Sequence, residues 1–249
     1  MKLAAIYNVW DGVELLRGSM MTMKDHVDVF IIVHQTVSNH GEHYDPVPDM
    51  DLTGFKCVMV PFTPEQNGGA LNETLKRNLG LNIAKQEKCT HFLHLDTDEY
   101  YKDFEAAKLE FLNSSADGSV CPIYCYFKRP TWRFSQKEGY FVPFIHKLWP
   151  DSKAGNCKYP YYVDPTRRIN TEKVVLLNEA MHHFSWVRKD IERKARNSSA
   201  GDLTKNKIIF EDYHSEALKS NPEGFYVRNF DRKITVVDDY FGLDKVFNS

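Results

Sequence analysis

Residues 1–101 alternate short apolar runs with helical patterns and turns, and that alternation limits the fold more than any other feature of the chain. Leu3 to Ile6 is a short apolar run, and Val13, Leu16, Met20 and Met23 then recur at helical spacing. Val27 to His34 (VDVFIIVH) is apolar on both faces, as strands in parallel sheets are. A loop over 35–51, holding His, Asn, Gly, Asp and two prolines, leads to a third run, Cys57 to Pro61. Asn67-Gly68-Gly69 breaks the chain before a helix in which Leu71, Leu75, Leu79 and Ile83 stand four residues apart, and His91 to Leu95 is the fourth run. Strands and helices at these lengths predict an α/β fold: a mostly parallel central sheet with helices on both faces. Ligands of such sheets bind beyond the carboxyl ends of the strands.

The character changes after Tyr101. Glu105 to Leu112 reads as a short helix, Ser119 to Lys128 and Phe141 to Trp149 as strands, and 153–168 as loops rich in Tyr, Pro and Gly. Val174 to Phe184 reads as extended, and Ser185 to Asn197 as an amphipathic helix with Val187, Ile191 and Ala195 inside. With no repeat and no low-complexity linker, the expectation is one domain over 1–249. It comprises the alternating half (1–101), a second half of different character (102–200) and a C-terminal extension (201–249).

The fourth run ends in His91-Phe-Leu-His-Leu-Asp-Thr-Asp-Glu-Tyr-Tyr101. Asp96, Asp98 and Glu99 cannot enter a core without water, a basic partner or a cation. On an extended backbone Asp96 and Asp98 point to the same side. Two carboxylates so close repel, and oxygen ligands suit Mg²⁺ or Mn²⁺. The alternative is a solvated acidic turn capping the next helix. A second group is His182-His183-Phe184-Ser185-Trp186-Val187-Arg188-Lys189. In an extended segment Glu179, Met181 and His183 share a face and His182 points away. His183 is then a candidate third metal ligand and Glu179 the candidate base, with Asp151 and Asp164 as spare acids. Arg188 and Lys189 are expected in the first turn of a helix, where diphosphate oxygens bind.

A net charge of −2 gives no electrostatic case for nucleic acid. Five cysteines, odd in number and without C-x-x-C, read as reduced and structural. The apolar start before Tyr7 is too short for a signal peptide, and no stretch is long enough to span a membrane, so a cytoplasmic location is expected.

Three pieces resemble the GT-A glycosyltransferases, most closely their family 2-like branch: AAIYNVWDGVELLRGSM, KRNLGLNIAKQEKCTHFLHLDTDEYY with its D-x-D, and EAMHHFSWVRKDIERK, similar to an H-x-S-W segment. The resemblance implies a GT-A, Rossmann-like sheet and transfer of a sugar from a nucleotide-sugar donor, UDP-linked by expectation, to a glycan, lipid-linked glycan or protein hydroxyl. It implies Asp98 as direct metal ligand, Asp96 on the ribose or on the metal through water, and His183 completing the Mn²⁺ or Mg²⁺ site. Ile6, Tyr7 and Asn8 would line the base and ribose pocket, with Lys76 and Arg77 approaching the nucleotide. The family's acidic residue after the second strand is missing here, so Gln35 or Ser38 would hold the base. The Q-x-x-R-W of processive synthases is also missing, which points to single transfer, expected to be inverting, with 1–101 as the nucleotide-binding half and 102–200 as the half that completes the metal and acceptor site. Two rivals remain. A sugar-phosphate nucleotidyltransferase would need a Gly-rich basic loop where Tyr7-Asn8-Val9-Trp10 stands. The other is a non-catalytic nucleotide-sugar or carbohydrate-binding domain.

Overall fold

The computed structural model describes residues 1–65, 68–197 and 203–247, the side chains of 203–206 aside; Asn67 lies outside them. The strands are β1 (Leu3–Val9), β2 (Val29–His34), β3 (Cys57–Pro61), β4 (His91–Asp96), β5 (Glu99–Tyr101), β6 (Gly118–Cys121), β7 (Ile123–Phe127), β8 (Trp132–Phe134), β9 (Val142–Lys147), β10 (Val174–Leu176), β11 (Met181–Trp186), β12 (Tyr226–Val227) and β13 (Arg232–Val236). Five helices matter below: α1 (Val13–Met21), α2 (Gly69–Gln86), α3 (Phe104–Asn113), α4 (Ile191–Arg196) and α5 (Leu203–Tyr213).

Among the described residues these strands form two sheets. The first runs β10-β6-β9-β4-β1-β2-β3, with β1, β2, β3 and β4 parallel and β9 antiparallel to its neighbours β4 and β6. The second runs β12-β13-β8-β7-β11-β5. The fold is thus α/β with a mostly parallel central sheet. Strand alternation splits β1 between two core layers. Leu3, Ala5 and Tyr7 pack with Leu16 and Met20 of α1 and Phe104 and Phe111 of α3. Ala4 and Ile6 pack with Ile31, Val33 and Leu81 and Ala84 of α2. Each fully buried Leu, Ile or Phe side chain here contributes roughly 1.5–3 kcal/mol. Gly80 lets α2 approach closely: a Cβ there would stand 2.2 Å from Ile6 Cγ2.

The four-residue leucine spacing of α2 marks a helix but not its buried face. Leu71 and Leu75 are exposed, whereas Asn72, Lys76, Arg77, Gly80, Leu81 and Ala84 are buried. The N-terminal half of α2 therefore turns polar side chains inward, which a helix does only over a polar site. The expected helix over Ser185 to Asn197 is shorter. β11 continues to Trp186, which pairs with Phe127 of β7, and α4 begins at Ile191 behind Asp190, whose carboxylate accepts from Arg193 N at 2.8 Å. Arg188 and Lys189 accordingly precede the helix instead of forming its first turn. All five cysteines are free, and no helix among the described residues is long and apolar enough to cross a membrane.

Buried histidines set an acid limit on stability, His146 and His182 among them. Burial pushes His146 and His182 down from 6.5 to about 4. Both are neutral in folded and unfolded chains above about pH 6.5. Below that the unfolded chain takes up protons that the folded chain refuses, so stability falls as pH drops from 6.5 towards 4. The expected loss between pH 7 and pH 4.5 is roughly 2–3 kcal/mol per histidine. Urea unfolding at the two pH values measures it, and His182→Gln should flatten the slope. A pH-independent midpoint would contradict this.

Candidate active site

The carboxyl ends of β1 and β4 lie side by side, with Asn8 opposite Asp96. They open into a cavity of about 440 Å³. β5 pairs antiparallel with β11 in a register that sets His183 opposite Glu99, and Phe184 N donates to Asp98 O at 2.8 Å. This pairing joins the two sequence motifs, 85 positions apart, into one site. His183 lines the cavity beside Met181 and Ser185. His182 points the other way, its Nδ1 2.7 Å from Tyr126 Oη and its ring against Phe241.

Asp98 is buried and doubly contacted. Its Oδ2 accepts from Arg188 Nη2 at 2.5 Å and lies 3.5 Å from His183 Nε2. Burial opposes its charged form, but Arg188 and His183 hold it well below the usual carboxylate range. Burial likewise opposes a protonated His183, yet Asp98 leaves it raised. Gly12, at φ 71°, makes room for the guanidinium: a Cβ there would come within 2.8 Å of Arg188 Cζ.

Asp96 and Glu99 are held by arginines. Arg167 Nη1 and Nη2 donate to the two oxygens of Glu99 at 3.0 and 2.6 Å, and Nη2 also donates to Asp96 Oδ2 at 2.5 Å. Arg77 Nη2 reaches Asp96 Oδ1 at 3.4 Å. Burial works against the charge on Asp96, but these two guanidiniums hold its pKa below the ordinary carboxylate value, whereas burial pushes the pKa of Glu99 up. Lys76 Nζ lies 2.7 Å from Glu73 Oε1. Lys194 lines the cavity, and among the described residues its ammonium forms no ion pair; burial and then Arg188 lower its pKa.

Several expected residues are placed elsewhere. Ile6 points into the α2 core layer, and Tyr7 lies in the α1 layer with its hydroxyl 2.7 Å from Ser19 Oγ, so of the β1 trio only Asn8 lines the cavity. Gln35 is buried outside the cavity lining, and Ser38 Oγ accepts from His40 N and Glu42 N, folding its own loop. The chain brings Asn39 to the cavity instead. Glu179 is also absent from the lining. β11 begins only at Met181, so the extended geometry that would align Glu179 with His183 does not reach it. Its Oε1 accepts from Asp103 N at 3.1 Å, at the start of α3. Asp164 does line the cavity, its Oδ1 fixed by Thr166 N at 2.8 Å and Thr166 Oγ1 at 2.9 Å. Arg167, Lys194, Glu73 and Asn39 are site residues that sequence reasoning does not single out. A signal for Arg167 did exist: three acids at a buried strand end need cations, and 153–168 supplies them.

The donor chemistry of Asp98 and His183, oxygen and imidazole, suits Mn²⁺. Among the described residues no cluster of three His, Cys, Asp or Glu side chains forms, and Asp98 Oδ2 is shared with Arg188. A cation here would therefore draw its remaining ligands from a bound diphosphate and water.

Fold and site together define an α/β protein with a polar, cation-lined cavity at the carboxyl ends of its parallel strands. No protein-family model and no curated protein sequence matches the chain. Among solved structures it is similar to S. aureus TarS. TarS 1–349 in complex with UDP-GlcNAc is 11% identical at a TM-score of 0.48, covering 88% of this chain and 73% of that one. TarS 1–349 in complex with UDP is 11% identical at 0.44, with 88% and 72% covered. A longer S. aureus TarS structure is 12% identical at 0.42, with 88% and 44% covered.

Proposed function

We propose that the chain is a glycosyltransferase that moves a sugar from a nucleoside-diphosphate donor to an acceptor hydroxyl by single, inverting transfer. One observation carries this reading: Asp98, His183, Arg188 and Lys194 converge in one cavity at the carboxyl ends of β1 and β4. Arg188 and Lys194 supply positive charge for diphosphate oxygens. Asp98 and His183 would hold a divalent cation, which when bound neutralises the charge developing on the departing diphosphate. Asp96, clamped by Arg77 and Arg167, keeps one edge towards the cavity for a ribose hydroxyl. Asp164 is the candidate base, because it lines the cavity and, among the described residues, forms no ion pair. It would take the proton from the acceptor hydroxyl as the new bond to the sugar forms. A non-catalytic nucleotide-sugar-binding domain would share the cationic end but have no need of Asp164.

The test is calorimetric titration of the protein with UDP and GDP, with and without Mn²⁺. Asp98→Asn should abolish the Mn²⁺-dependent part of binding while thermal unfolding stays cooperative. Unchanged nucleotide affinity in that variant with Mn²⁺ present would refute the metal site. Tight binding without turnover of any nucleotide sugar would favour the binding domain.

A further inference from the structure

Glu73 of α2 is the hub of a polar cluster at the β1 end of the cavity. Its Oε2 accepts from Asn8 Nδ2 at 3.2 Å, and its Oε1 accepts from Asn39 Nδ2 at 3.0 Å and from Lys76 Nζ at 2.7 Å. A carboxylate only accepts, whereas an asparagine amide can in principle present either its oxygen or its nitrogen to a neighbour. Glu73 removes that choice: both amides must turn NH₂ towards it. Both carbonyl oxygens then face elsewhere. Asn8 Oδ1 and Asn39 Oδ1 are buried, and neither has a hydrogen-bond partner in the protein. Asn8, Asn39 and Glu73 all line the cavity. An acceptor left unpaired in a buried place is costly, and a ligand donor that reaches it removes the cost.

We propose that Glu73 sets the hydrogen-bond polarity of this end of the cavity, so that Asn8 and Asn39 present acceptors to the O–H or N–H donors of a nucleoside. The proposal rests on the nucleotide reading of the cavity given above and adds to it a specificity-determining positioning residue. A nucleoside carries such donors on the ribose diol, on the ring N–H of uracil or guanine, and on the exocyclic amines of guanine, cytosine and adenine. Cytosine and adenine lack that ring N–H. A site built to pair donors rejects the analogue without them far more strongly than a merely apolar site rejects a misfit.

The experiment titrates the full chain, with Mn²⁺ present, with UDP, GDP, CDP, ADP and the 2′-deoxy forms of UDP and GDP. The wild-type protein should bind its best ligand at least about tenfold more tightly than the matching probe that lacks the donor. Loss in the deoxy arm assigns the ribose, and loss in the CDP or ADP arm assigns the base. In Glu73→Gln the new side chain can donate as well as accept, which frees both asparagines to flip. Discrimination should then shrink to within about threefold, and the best ligand should weaken about tenfold. Asn39→Ala, which leaves the Glu73–Lys76 pair intact, should weaken the best ligand without shifting the unfolding midpoint, and it carries the test if Glu73→Gln does not fold. Equal binding of all six probes by the wild type overturns the proposal but leaves the nucleotide reading standing. Discrimination that persists in both variants overturns it too. Failure of every nucleoside diphosphate to bind overturns the nucleotide reading itself, and this proposal with it.

Discussion

Arg167→Ala is expected to cost about 3–5 kcal/mol of folding stability, the scale for removing one partner of a buried ion pair. Glu99 is 1% exposed, and both its oxygens take N–H groups from this one guanidinium. Without Arg167 the carboxylate is left buried beside Asp96, with no other ion-pair partner among the described residues. Burial already pushes Glu99 towards its protonated form. The variant should therefore take up a proton at Glu99, and its stability deficit should shrink as pH falls towards 5. Arg167 also anchors the 153–168 loop to the end of β4, so nucleotide affinity should fall with stability. Adding Glu99→Gln to Arg167→Ala removes the stranded charge and should recover part of the loss. Urea unfolding of the two variants and the wild type at pH 7 and pH 5 decides the matter. A deficit below about 1 kcal/mol would mean the pair is solvated and contributes little.

Asp164→Asn is expected to lower turnover by roughly two to four orders of magnitude, the usual scale of a general base, while donor and metal affinity stay nearly unchanged. The substitution keeps the oxygen that accepts from Thr166 N and Oγ1, so the local turn should survive. Glu179→Gln is the control. It should leave turnover within about tenfold and act mainly on stability, because that side chain binds the start of α3 outside the cavity. Rates for the two variants with one nucleotide sugar and one acceptor separate the assignments. Should Asp164→Asn keep its turnover and Glu179→Gln lose it, the base assignment is reversed and the loop before β11 must move during the reaction.

Much of the first half is legible in the chain itself. β1, β2 and β4 announce themselves because a strand covered on both faces must be apolar at nearly every position, and little else reads as VFIIVH. The cluster Asp96, Asp98 and Glu99 is legible for the complementary reason, since acids directly after such a run need partners. The inward turn of His183 and outward turn of His182 follow from strand alternation alone. The same alternation misleads at Glu179, because it holds only while the strand lasts, and β11 starts two residues later. Ile6 and Tyr7 fail in a related way: a residue of β1 faces a core layer until the strand reaches its end, so only Asn8 emerges into the cavity.

Local sequence therefore determined the parallel sheet, the place of a site at its carboxyl edge and the acids that would occupy it. Tertiary structure alone decided which cations answer those acids, which amides line the cavity and which cavity-lining carboxylate forms no ion pair among the described residues. Arg167, Lys194, Asn39 and Asp164 come from loops or a short helix without periodicity, and their positions depend on how the chain returns to the sheet. A buried charge must find its partner in space, and the energy of that pairing carries no period along the chain.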